Sequence, residues 1–288
     1  MPLAVFSTGD HMRLGKVFDD HLVDLTVAAP GLPSTVKAFL AAGDAALEAF
    51  KRVEKGGKGA VALADVRLHA PVPDPEKFLG IGLNYTDHAE EAAEFGLTVP
   101  EYQLWFNKQV SCVAGPYDDV ILPKVSGQLD FEAEMAVVIG RACRHVAAED
   151  ARSVIGGYMV ANDVSVRDWQ VRSPTHTLGK SFDTHGPLGP WLTLDHEVDD
   201  PEALGIRLYL NGEEMQNGST SYMINKISDQ IAYLSTVMTL KPGDVLLTGT
   251  PAGVGAARKP PVWVKAGDVM RVEIDGLGHI ENPVVAES

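Results

Sequence analysis

Two glutamates interrupt an apolar run at residues 129–140, LDFEAEMAVVIG. The run alternates as a β-strand does. Phe131, Ala133, Met135, Val137 and Ile139 share one face, and Glu132, Glu134, Ala136 and Val138 share the other. Same-face neighbours have Cα atoms roughly 6.5 Å apart. Two carboxylates that close repel each other, and burial strips their hydration. The pattern fits a solvated outer face, or a pair converging on a cation. Asp163, in GYMVANDVSVRDW, falls where the apolar character of another strand-like run breaks. It reads as a turn residue or as a third oxygen ligand. Three carboxylates without histidine or cysteine suit a hard cation, Mg2+ or Mn2+, rather than zinc, and leave positions open for Lewis-acid chemistry.

A second set of residues has acid–base character. In NYTDHAEEAAEFGL, Thr86 or Asp87 reads as the cap of a short helix, with His88 and Glu91 at i and i+3 on one face. A carboxylate beside an imidazole fixes its tautomer and stabilises its cation, which suits a general base; an exposed helical pair is the plainer alternative. Lys180 lies in the Gly/Pro-rich HTLGKSFDTHGPLGPW and reads as a carboxylate-binding or a solvated lysine. Thr250 sits at the centre of LLTGTPAGVG, a strand running into a glycine loop that is either a ligand loop or a tight structural turn. Other motifs fail. GIGLNY lacks the third glycine of a dinucleotide fingerprint, PTHTLGKS the first glycine of a phosphate loop, and HEVDD the second histidine of a zinc helix. No G-x-S-x-G is present.

Positioning these residues requires a β-rich scaffold. EAEMAVVIG, GGYMVANDVSV, GIRLYLNG, DVLLTGT and VMRVEID read as strands, with turns at NGEE, KPGD and KAGD. KISDQIAYLSTVM and the short AEDARSVIGG read as helices. Ahead of them, LAVFSTGD and RLGKVFDDHLVDLT read as short strands. STVKAFLAAGDAALEAFKRVEKGG reads as one helix capped by Ser34. PVPDP, residues 71–75, marks a boundary. The expectation is therefore a β-dominated α+β fold, with a small N-terminal α/β domain over 1–70 and a catalytic domain over 71–288. The net charge of −15 argues against nucleic acid or an anionic membrane as main partner. No run is long enough to span a bilayer, and the N-terminus lacks the basic and apolar regions of a signal peptide. Cys112 and Cys143 read as small core residues, and a reducing cytoplasm is the expected compartment.

GLNYTDHAEE, FNKQVSCVAGP, LDFEAEMAVVIG, ANDVSVRDWQ, TLGKSFDTHGPLGPW and LKPGDVLLTGTPAGVG occur in one order. Together they resemble the fumarylacetoacetate hydrolase superfamily, from about Phe78 to Asn282. The resemblance implies a mixed β-sandwich roll, usually a homodimer. It implies Mg2+ or Mn2+ on Glu132, Glu134 and Asp163, and His88 as general base oriented by Glu91 on a lid. Lys180 and Thr250 would line the site, with Arg167 and Gln170 as further substrate-binding candidates. The eponymous enzyme uses a fourth carboxylate, for which no counterpart is identified; this points to shorter bacterial members that act on smaller oxo acids. The expected reaction is C–C hydrolysis of a 2,4-dioxo, acylpyruvate-like acid to pyruvate and a carboxylic acid. In it His88 activates water, and the cation stabilises charge on the 2-oxo oxygen. Oxaloacetate-type decarboxylation and 2-hydroxymuconate-type isomerisation use the same charge stabilisation and stay open. So does a non-catalytic metal-binding role.

Overall fold

In the computed structural model, which describes residues 1–288, the glutamate-bearing run becomes a strand, Ala133–Ile139, buried at every residue. Its length and β-branched content suit a central position, and neighbours pair on both sides. Ile155–Asn162 and Val245–Leu247 flank it, both antiparallel. These belong to a twelve-stranded mixed sheet in which Val245–Leu247 also pairs in parallel with Phe78–Gly82. A second sheet of five strands, from Glu213–Ser219 to Val120–Leu122, packs face to face against it. Met135, Val137, Ile139 and Val160 meet Leu208, Met270, Val272 and Ile280 in one core. Ile231 and Leu234 of the helix Ile227–Val237 join that core. The fold is the β-dominated sandwich expected from the sequence.

The opposite face of the large sheet is divided. Ala136, Val138, Met159 and Ala161 pack with Leu3, Val5, Phe39, Leu40 and Phe50 of the N-terminal segment. Further along the same face stand Glu132 and Glu134. The alternative of a solvated outer face fails here: apolar chain covers one end of the face, and a cavity occupies the other.

Residues 1–70, expected as a small separate domain, share both sheet and core with the rest. Leu3 pairs with Leu192 of Gly186–Leu194, so the ladder of Leu3–Ser7, Arg13–Phe18 and His21–Asp24 continues the large sheet. The physical reason is burial. Each large apolar side chain removed from water stabilises by about 1.5–3 kcal/mol, and two short helices offer too little surface to bury one another. The expected single helix is two, Val36–Ala41 and Gly43–Lys51, broken where Gly43 takes φ 62°. Thr35, not Ser34, caps the first, accepting from Ala38 N at 3.2 Å. Cys112 and Cys143 are buried free thiols, and no helix is long and apolar enough to cross a membrane.

Candidate metal and acid–base site

Strand register brings the three carboxylates together. Ala133 lies opposite Asn162, so Glu132 and Asp163 face each other just beyond that pair, where Asp163 N donates to Glu132 O at 2.9 Å. Glu134 follows one same-face step along the strand. Oxygens of Glu132, Glu134 and Asp163 all lie within 4.8 Å of one another, and the three residues are buried. Two amide side chains fix this strand end: Asn162 Oδ1 accepts from Glu132 N at 3.0 Å, and Gln216 Oε1 accepts from Ala133 N at 2.9 Å.

Three cations are threaded among the acids. Lys180 Nζ donates to Glu132 Oε2 at 2.6 Å and to Asp163 Oδ2 at 2.7 Å. Arg167 reaches Glu132 Oε1 at 2.7 Å, Asp130 Oδ2 at 2.8 Å and Gln170 Oε1 at 2.9 Å. Lys108 Nζ donates to Asp163 Oδ1 at 2.7 Å, to the His185 carbonyl at 2.9 Å and to the Lys180 carbonyl. Burial penalises the Glu132 anion, yet Lys180 and Arg167 outweigh it and hold the carboxyl well below the usual range. Burial also works against Lys180, but Asp163 and Glu132 raise its affinity for the proton. Glu134 is different. Burial, then Asp163 and Glu132, push its carboxyl well above the ordinary range, and its hydrogen bond comes from an amide, Gly249 N, at 2.7 Å.

The balance of charge tests the fit of a metal. Four buried carboxylates, Asp130, Glu132, Glu134 and Asp163, meet three cationic side chains, Lys108, Lys180 and Arg167. The shortfall falls on Glu134. A hard divalent cation among three carboxylate oxygens supplies what is missing, and the all-oxygen donor set matches Mg2+ or Mn2+. These residues fit the ion.

The opposite wall is the helix Thr86–Ala93. Its N-cap is Tyr85 rather than Thr86 or Asp87, and no side chain caps it. Its base is held by Asn84, which donates to Thr248 O at 2.9 Å and accepts from Asn225 N at 2.8 Å. His88 Nδ1 donates to Glu91 Oε2 at 3.0 Å. With Nδ1–H committed to a carboxylate, Nε2 carries the lone pair of the neutral ring, the state a general base requires. Glu91 Oε1 accepts from Gly253 N at 3.0 Å. Gly249 and Gly253 thus donate to one glutamate on each wall. Both need to be glycine: φ is 96° and 103°, and a Cβ would approach Asn84 Cβ to 2.9 Å and the Met215 carbonyl to 2.3 Å. Between them Thr250 Oγ1 accepts from Gln216 Nε2 at 2.8 Å.

A cavity of about 400 Å³ joins the walls. His88, Glu91, Glu132, Glu134, Lys180 and Thr250 line its polar side, and Arg167 and Gln170 also reach it. Only Asp163 of the expected residues is not on its surface; it lies behind Lys180. Lys180 and Arg167, expected to meet substrate, are engaged first by the acids. Sequence reasoning missed Lys108, Asp130 and Gln216. Asp130 accepts from Gly255 N at 2.8 Å, Ala256 N at 2.9 Å and Arg167 Nε at 2.8 Å, so it ties the glycine loop to the acidic cluster. A lysine inside the apolar FNKQVSCVAGP was the one available signal for Lys108.

A β-dominated sandwich with a buried carboxylate triad facing a His–Glu pair defines the class. Residues 77–285 match the family described as fumarylacetoacetate (FAA) hydrolase C-terminal, and the chain belongs to that family. Its relatives are enzymes. The chain is 43% identical over 291 residues, 99% of its length and 90% of the relative's, to the mitochondrial oxaloacetate tautomerase fahd2 of Xenopus laevis. Among solved structures it resembles maleylpyruvate hydrolase from Sphingobium sp. SYK-6 in complex with manganese(II) and pyruvate, at 34% identity and TM-score 0.80 over all of both chains. It also resembles 2-hydroxyhepta-2,4-diene-1,7-dioate isomerase from Mycobacterium marinum, at 32% identity and TM-score 0.78, covering 100% of this chain and 99% of that one.

Proposed function

We propose that this chain is a divalent-cation-dependent enzyme that moves a proton at C3 of a small 2-oxo acid, interconverting keto and enol forms of an oxaloacetate-like dicarboxylate. The observation that carries the reading is a buried carboxylate triad, two members of which line one cavity with a histidine oriented by a glutamate. Glu132, Glu134 and Asp163 would hold Mg2+ or Mn2+. That ion supplies positive charge where negative charge builds on the 2-oxo oxygen. His88 Nε2 takes the C3 proton as the C–H electron pair becomes the C2–C3 double bond. Glu91 stabilises the imidazolium, which returns the proton to the 2-oxygen or, in reverse, to C3. Thr250 and the helix Thr86–Ala93 shape the cavity and restrict water.

C–C hydrolysis of a 2,4-dioxo acid, the reaction favoured by sequence alone, is the second reading. It is supported by the size of the cavity, larger than a four-carbon acid needs, and by likeness to a maleylpyruvate hydrolase. There His88 would activate water instead of taking a carbon-bound proton. The order changes because the more similar relative is named a tautomerase. The test follows the enol absorbance of oxaloacetate, and separately the release of pyruvate plus acid from an acylpyruvate, with Mg2+ or Mn2+ and with EDTA. Cation-dependent loss of the enol signal is expected. Acylpyruvate cleavage without any enol–keto acceleration would replace the first reading by the second.

A further inference from the structure

His176 lies in the loop between the helix Arg167–Gln170 and Lys180, and it lines the same cavity. The carboxylates above give it no role. Of the side chains there that can carry positive charge, Arg167 and Lys180 are bound to carboxylates, and His88 is bound to Glu91. His176 has no carboxylate partner. Its Nδ1 donates to the Gln170 carbonyl at 3.1 Å, and its Nε2 has no partner.

The loop holds this ring at some cost. His176 has φ 59°, a left-handed conformation that non-glycine residues adopt rarely. The loop is pinned on both sides of it. The Nδ1 bond reaches Gln170, and Gly179 packs so closely that a Cβ there would meet Gln170 N at 2.2 Å. The ring stands edge-on to Phe106, with centroids 6.5 Å apart, and Lys180 Nζ lies 5.0 Å from the same Phe106 ring. His176 and the lysine that touches Glu132 and Asp163 thus both border one aromatic ring of the cavity lining. The remaining outer lining is apolar, including Phe95, Leu97, Leu104 and Val171. An anion entering this end would find one free partner among these apolar side chains.

We infer that His176 forms the subsite for the second carboxylate of a dicarboxylic substrate, the end remote from the 2-oxo group. The inference rests on the reading above and assigns the side chain that recognises the second carboxylate. With Nδ1–H committed to a carbonyl, Nε2 donates to the carboxylate from the protonated ring, a form that a bound anion favours. Such a charge-assisted bond in an apolar setting discriminates strongly against a ligand that lacks the group.

The experiment measures, by titration calorimetry on the Mg2+-loaded full chain, binding of two unreactive analogues: L-malate with two carboxylates and L-lactate with one. Wild type should prefer malate. In His176→Ala that preference should fall on the order of tenfold or more, with lactate binding held, and His176→Arg should restore it. Equal weakening of both analogues in His176→Ala would mean that the ring only supports the loop, and would overturn the inference. So would a wild type without preference for malate. The two proposals fail separately. Malate preference lost in His176→Ala, in a protein that never accelerates the enol–keto exchange, removes the proposed reaction and leaves the subsite. Enol–keto catalysis with an unchanged malate preference does the reverse.

Discussion

The two walls of the cavity are built on different principles. The floor is one end of a pair of central strands, where buried acids bond Lys108 and Lys180 from neighbouring loops across 17 to 55 residues of sequence. The helix Thr86–Ala93 buries only Ala92. Beyond its base it is held by single bonds, Glu91 to Gly253 N and Glu94 to Lys259 Nζ at 2.6 Å. Phe95 and Leu97, which follow it, are 53% and 55% exposed. Charge is gathered where the protein is most buried, and the His88–Glu91 pair sits on a helix with few anchors. A rigid floor keeps like charges at fixed separation ready for a cation, while a weakly anchored helix can close on a ligand.

The largest effect should separate the walls outright. Glu134→Ala should abolish turnover together with Mg2+ or Mn2+ binding, read by calorimetry. His88→Ala should lose roughly 10²–10⁴-fold in rate while metal affinity and melting temperature stay near wild type. If His88→Ala also loses the metal, the two walls are not independent. Next is Lys108→Met. It leaves Asp163 short of a buried cationic partner, a loss of about 3–5 kcal/mol. The melting temperature in EDTA should fall sharply and recover in part with Mn2+, because a cation replaces the lost charge. A variant as stable as wild type in EDTA would show that Lys108 is not part of the floor's charge balance.

A pH dependence probes the floor from behind. Burial pushes His185 down from 6.5 to about 4, and its Nε2 bonds the Ile121 carbonyl at 2.8 Å. The folded state thus binds this proton less readily than the unfolded chain. Its stabilising contribution is full above pH 6.5 and is lost as pH falls toward 4, at most about 3 kcal/mol. His185→Gln should flatten that part of the stability curve measured by urea unfolding, and an unchanged slope would exclude His185 as the cause. The smallest effect belongs to the helix Thr86–Ala93. Lys259→Ala removes an exposed, solvent-screened ion pair with Glu94. It should speed hydrogen exchange in residues 86–100 without moving the melting temperature. Oxalate plus Mg2+ should slow that exchange in wild type; equal rates with and without the ligand would mean that the helix does not close.

The site was legible where its logic is local. Glu132 and Glu134 are two residues apart on one strand, and His88 and Glu91 three apart on one helix, so period alone places each pair. A break in a strand pattern marked Asp163 as a turn residue or a ligand, and the family resemblance joined it to the two glutamates. Lys108, Asp130 and Gln216 were not legible, because their partners lie far along the chain and meet them only through sheet register and the glycine loop. The β-rich fold followed from alternation and turn residues. The N-terminal strands are a related case: a proline-rich turn at 71–75 marks a change of direction in the chain, close to where the family match begins at residue 77, and says nothing about which sheet the preceding strands join.

That joining limits how far the chain could be shortened. A fragment starting at residue 71 would keep every acid, lysine and histidine of the site. It would also leave Ala136, Val138, Met159 and Leu192 bare on the strands that carry and border the triad. Their exposed face would invite self-association, and the strand end holding Glu132 and Glu134 would lose the backing that fixes its position. The cavity thus depends on packing supplied by the N-terminal segment, although no residue before 81 lines it.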